Sequence, residues 1–164
     1  MREISAKQLD RVLTFFARVE AKASFLFAID TGLLALIAVN LRLSDFGLWY
    51  VMVPGVLAVI LIIASLWFIY QCHFPRLDGG GGSLVYFAEI AKRTEAKYIS
   101  ECETLDDAVL TKDYLGQTWR NAQILTAKFA HVKTAFTLTG LALLPWFAFL
   151  VAASVTNVQP PLLR

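Results

Sequence analysis

Two stripes of side chains at helical spacing carry most of the chemistry that this sequence offers. Arg11, Phe15, Arg18 and Lys22 stand at i, i+4, i+7 and i+11, so on a helix they share one face. Gln117, Asn121, Ile124 and Lys128 repeat the same offsets. On neighbouring helices these stripes would gather cations, amides and an aromatic ring, groups that can hold an anion such as a nucleotide phosphate. Each stripe also ends just before an apolar run. Basic residues there commonly anchor a span by snorkelling to lipid phosphates, and by residue type alone that role is the commoner one. Asp30 is the third unusual residue. It lies inside an apolar run, about 11 Å deep at 1.5 Å per residue. An acid at such depth is costly and turns toward other helices or toward water. Two readings stand open for it: a pore or gating element, or a polar clasp between helices through Lys133, Thr31, Thr137 or Thr139.

Other signals carry less. The glycine run at 79–82 is not followed by the Gly-Lys-Ser/Thr of a phosphate loop. It reads as a flexible turn, and GGGGS also matches a common engineered linker. Cys72, His73 and His131 lack a ligand pair at zinc-site spacing, so no metal is expected. Glu101, Glu103, Asp106 and Asp107 read as a solvated turn. No nucleophile–base arrangement appears, which argues against an enzyme and against a resident cofactor.

The elements that must position these residues follow from composition. The chain has 164 residues, of which 57% are hydrophobic and only 17% charged, with a mean hydropathy of +0.59. Soluble domains carry about 25% charged residues, so the apolar excess must face lipid or other helices. A net charge of +2 gives no footprint for nucleic acid. Three runs reach the roughly 20 apolar residues that a bilayer core requires: about 23–41, 48–70 and 134–155. Trp49, Tyr50, Trp67 and Tyr70 sit near the ends of the second, as interfacial aromatics do. Pro54 and Pro145 lie inside spans, where neighbouring helices can absorb the lost hydrogen bond. The charged first 22 residues do not resemble a cleavable signal peptide. Basic residues divide 5, 1, 8 and 1 among the N-terminal segment, the first loop, the long middle segment and the tail. The positive-inside rule then places residues 1–22 and 71–133 in the cytoplasm and the QPPLLR tail outside. Cys72 and Cys102 would both be cytoplasmic, and no disulfide is expected.

The expected fold is therefore an all-α, single-domain membrane protein with three transmembrane helices. Ser5 and Gln8 have capping-box spacing, and no Pro or Gly follows until Gly32, so the first span should end one long helix. Pro75 and the glycines break the chain after the second span. Ser83 can cap a short helix over about 84–102. Thr104, Asp106 and Asp107 can start the last helix, which then runs through Lys133 into the third span. The first and last helices thus extend into a cytoplasmic bundle with one additional short helix, and give a signal received there a rigid route into the bilayer.

Three blocks of this sequence resemble a known family in order and spacing. EAKASFLFAIDTGLLAL resembles the first block of the Pycsar effector transmembrane family, where a Lys-Ala pair opens the first span. PRLDGGGGSLVYFAEIAKRTEAKYI resembles its middle block, and DYLGQTWRNAQILTAKFAHVKTAF its last. The resemblance covers about residues 8–150, and the matching positions are Lys22, Pro75, Phe87, Ile90, Gln117 and Lys128. Asp30 departs from it, since a neutral residue such as Asn is expected there. The resemblance implies a role in bacterial anti-phage defence. A cyclase would make a cyclic pyrimidine nucleotide, and this effector, a homo-oligomer in the inner membrane, would respond by damaging that membrane. With no separate cyclic-nucleotide-binding β-domain, the ligand, cyclic UMP or cyclic CMP, must bind the helical part, or a partner must do the sensing. The alternatives are a ligand-independent channel or pore, with Asp30 as the motive, and a structural assembly protein of the membrane.

Overall fold

A computed structural model describes residues 1–74 and 80–158. Pro75, the start of the glycine run and the QPPLLR tail lie outside the described residues. Among those described, the chain is all-helical. Helix α1 spans Arg2–Asn40, α2 Trp49–His73, α3 Phe87–Ile90, α4 Glu95–Glu103 and α5 Asp107–Val158. A 3-10 turn at Leu43–Gly47 joins α1 to α2. Three helices, α1, α2 and α5, are long and apolar enough to cross a membrane. The residues group into two compact units, residues 1–20 with 74–129 and residues 21–73 with 130–164. Both long helices contribute to both units.

The apolar unit is built on a seven-residue repeat. The buried positions of α2 are Val51, Gly55, Ala58, Ile62, Ser65, Ile69 and Cys72, which alternate in steps of four and three. Ala23, Leu26, Asp30, Leu33 and Ile37 do the same on α1, and Val132, Ala135, Thr139, Ala142, Phe149 and Ala153 fall on the same repeat in α5. This is the spacing of helices that pack at a shallow angle. Many of these residues are small, so backbones can approach closely, as packing without a hydrophobic drive requires. A Cβ on Gly55 would lie 2.9 Å from the ring of the buried Phe149. Large apolar side chains such as Phe25, Val39, Trp49, Ile60 and Leu144 point outward, as lipid-facing residues should. At the first loop, buried Asp45 accepts from the Arg42 backbone N–H at 2.8 Å and holds the turn.

Asp30 lies in the clasp of this unit. Thr139 Oγ1 donates to Asp30 Oδ1 at 2.9 Å, and Ser65 Oγ lies 3.0 Å from Thr139 Oγ1. One hydroxyl hydrogen each suffices if Ser65 donates to Thr139 and Thr139 to Asp30, so a single chain of hydrogen bonds ties α2, α5 and α1. Asp30 Oδ2 has no partner among the described residues. Nearby, Trp146 Nε1 donates to the Leu33 carbonyl at 3.2 Å.

The other unit is held largely by polar contacts. Leu9 and Val19 are its only fully buried apolar side chains among the described residues. Arg2 pairs with Asp107 at 3.0 Å, and Lys128 pairs with Glu20 at 2.9 Å. The local starts and stops differ from expectation in three places. Helix α1 begins at Arg2, and Ser5 Oγ bonds back to the Arg2 carbonyl at 2.8 Å instead of capping. Thr104 closes α4, with its hydroxyl on the Ser100 carbonyl at 3.0 Å, while Asp106 accepts from Ala108 N–H at the start of α5. The expected single short helix is two, α3 and α4, the second capped by Thr94.

Candidate functional site

The break between α3 and α4 has a physical cause that also builds the site. Arg93 Nη1 donates to the carbonyls of Ser83 at 3.0 Å and Glu89 at 2.8 Å, and Nη2 donates to that of Gly82 at 2.8 Å. Its Nε meets Glu101 at 2.7 Å. One guanidinium thus folds the chain back onto the glycine turn, which a continuous helix could not do. Within that turn Gly80 and Gly82 have φ of +78° and +77°, a region open to glycine at little cost. Ser83 N–H closes it onto the Gly80 carbonyl at 2.8 Å.

Ser83 then links the turn to α5. Its hydroxyl accepts from the N–H groups of Val85 and Tyr86 and donates to Asp113 at 3.0 Å, while Leu84 N–H donates to the same carboxylate at 2.9 Å. From the other side, Gly82 N–H donates to Glu89 at 3.0 Å. The Lys92 ammonium bonded to Glu89, followed by the Gly82 N–H, holds that carboxyl below the usual glutamate range.

Between this pinned turn and one face of α5 lies a cavity of about 310 Å³, at the small end of the range for ligand sites. Gly80, Gln117 and Arg120 form its polar corner, and Leu84, Leu105 and Leu110 give it an apolar wall. The corner is tight: a Cβ on Gly80 would lie 2.9 Å from Arg120 Nη1 and 3.2 Å from Gln117 Nε2. Arg120 Nη1 is buried without a hydrogen-bond partner, and no carboxylate among the described residues pairs with Arg120. A buried guanidinium nitrogen in that condition is costly.

The residues singled out by spacing separate into three groups. Gln117 is buried in the polar corner, with 4% of its surface exposed. Asn121 lies beside it, with its amide on the Gln117 carbonyl at 2.9 Å. Lys128 stands about 16 Å further along α5 at 1.5 Å per residue, bonded to Glu20 and 5.8 Å from the Phe16 ring. What the Lys128 ammonium meets on α1 is therefore a carboxylate and a ring. Arg11, Phe15 and Arg18 are exposed, and Arg18 stacks on Phe15 at 5.1 Å. Their face is not the one α1 buries in this unit, which carries Ser5, Leu9 and Val19. Lys22 is exposed and belongs to the other unit. Of the remaining positions of the family resemblance, Phe87 is exposed and Ile90 half-buried.

Spacing alone does not mark Arg120. It sits three residues after Gln117, on the same face, but it is one of eight basic residues in the middle segment. Only the placement of the glycine turn over its guanidinium distinguishes it from the rest.

No curated protein and no solved structure matches the chain. The PycTM family, described as the Pycsar effector protein domain, matches residues 4–155, which takes in both units and all three long helices. The family is one of anti-phage membrane effectors and is not a known enzyme family. The chain belongs to the Pycsar effector protein domain family.

Proposed function

We propose that this protein senses a cyclic nucleotide, cyclic UMP or cyclic CMP, and responds by impairing the bacterial inner membrane. The observation that carries this reading is the family match over residues 4–155 of a chain with three membrane-capable helices. The asymmetry of basic residues supports a cytoplasmic N-terminus and middle segment, with the C-terminus outside. The polar unit, residues 1–20 and 74–129, then receives the ligand. Its scarcity of buried apolar side chains fits a segment whose packing a ligand can reset, since local stability falls with apolar burial.

The same two helices, α1 and α5, form parts of both units. A ligand that binds one arrangement of them better than another shifts the population of that arrangement, and only by its difference in affinity. Protomers of a homo-oligomer would repack in response, and the bilayer would lose its integrity. Calorimetry on folded, detergent-purified protein tests the sensing step. Heat of binding with cyclic UMP or cyclic CMP is expected, and no heat with either would refute direct sensing.

The pore reading that rests on Asp30 draws less support. Asp30 is fully buried within one chain and hydrogen-bonded to Thr139, the environment of a clasp between helices.

A further inference from the structure

We infer that the cavity between the Gly80–Leu84 turn and α5 binds the phosphodiester end of the nucleotide, with Arg120 as its counter-charge. This inference rests on the sensing role proposed above and gives it a location. Three features of the cavity converge. Arg120 Nη1 is buried without a hydrogen-bond partner, and no described carboxylate forms an ion pair with Arg120, although Asp113 lines the same cavity. A phosphate oxygen supplies the missing acceptor and the missing charge together, and a guanidinium fork matches it in shape. Among the described residues, the acids that contact the turn are engaged there, Asp113 by Ser83 and Leu84 and Glu89 by Gly82 and Lys92, and neither forms an ion pair with Arg120.

The rest of the cavity suits a nucleoside. Gln117 brings both a donor and an acceptor to the polar corner. Leu84, Leu105 and Leu110 offer an apolar wall for the flat face of a base. Lys112 adds a second cation at the rim.

The turn also explains how occupancy is felt. Gly80 lies against Arg120 Nη1, so a phosphate reaches that nitrogen only if the turn shifts. Arg93 and Asp113 tie the turn to α3, α4 and α5. Displacing Gly80 therefore strains contacts that hold the polar unit together.

The test is calorimetry with cyclic UMP and cyclic CMP, and with uridine and cytidine as phosphate-free controls. Wild type is compared with Arg120→Ala and Arg120→Lys, with helical content checked by circular dichroism. Loss of a charge-assisted hydrogen bond predicts affinity for the cyclic nucleotide about 10- to 100-fold weaker in Arg120→Ala. Arg120→Lys, which keeps the charge and loses the fork, should weaken it less, and nucleoside binding should not change. If Arg120→Ala fails to fold, Arg120→Lys still carries the comparison. Cyclic-nucleotide binding at wild-type strength in either folded variant overturns the site and leaves the sensing role standing. No heat from wild type itself refutes the sensing role, and the site with it.

Discussion

Neutralising Glu20 should cost more stability than neutralising Lys128, although the two form one ion pair. The Lys128 side chain is only 10% exposed, whereas Glu20 is 47% exposed, with 2.9 Å between Nζ and Oε1. Glu20→Gln takes a carboxylate away from a buried ammonium, while Lys128→Met leaves a carboxylate that water can reach. A hydrogen bond to a charged group contributes about 1.5–3 kcal/mol, reduced here because Glu20 is half in water. Glu20→Gln should therefore cost about 1–2 kcal/mol. Lys128→Met keeps the apolar stem, removes the charge that needed a partner, and should cost less than about 0.5 kcal/mol. In the double variant the penalty of Glu20→Gln should largely vanish, giving a coupling of about 1 kcal/mol. The assay is equilibrium unfolding in mixed micelles followed by far-ultraviolet circular dichroism, with nucleotide calorimetry on each variant. If Lys128 is structural, Lys128→Met keeps nucleotide binding. Additive costs, or a larger cost for Lys128→Met than for Glu20→Gln, would refute the reasoning.

Three further outcomes follow from the packing and the turn. Asp30→Asn keeps an acceptor for Thr139 and should leave membrane activity unchanged, while Asp30→Leu should lower stability in unfolding titrations by about 0.5–1.5 kcal/mol; loss of activity with Asn would favour a pore. Gly55→Ala places a Cβ 2.9 Å from the ring of Phe149, and overpacking of about 1–3 kcal/mol should outweigh the helix gain of about 0.5–1. Gly140→Ala meets nothing within 4 Å and should show only that gain, so equal melting shifts for the two would contradict the seam. Glu89 is held below its ordinary value of 4.5 by Lys92 and Gly82. The stability it contributes is complete above that value and is lost as pH falls through the lower folded one. A carbon-detected titration that placed it at or above 4.5 would contradict the turn geometry.

Much of this architecture is legible in the sequence, because it depends on runs and lengths. Three apolar stretches, with no Pro or Gly before Gly32 and no Pro between Asp107 and Lys133, suffice for three spans and two long helices. The repeat of α2 from Val51 to Cys72 is not legible in the same way, because α2 is apolar nearly all round and only burial picks out its positions in steps of four and three. The α3–α4 break is different. Nothing in the residue types forbids a helix through Ala91, Lys92 and Arg93, and it ends where one guanidinium collects the carbonyl of Glu89 and those of Gly82 and Ser83 in the preceding turn. The partner of Lys128 is equally out of reach, since Glu20 lies 108 positions away and only packing decides which face of α1 meets it. Spacing finds Gln117 but not Arg120, whose distinction is an unmet hydrogen bond under a glycine turn. Periodicity reports which residues share a face. It does not report what lies opposite.

The most direct test of the effector account is dye release from sealed liposomes of bacterial phospholipid that contain the purified protein. Cyclic UMP or cyclic CMP should trigger release from vesicles that are tight without it, and the matching nucleoside should not. Release at the same rate with and without nucleotide, or none under either condition from folded and inserted protein, would contradict the account.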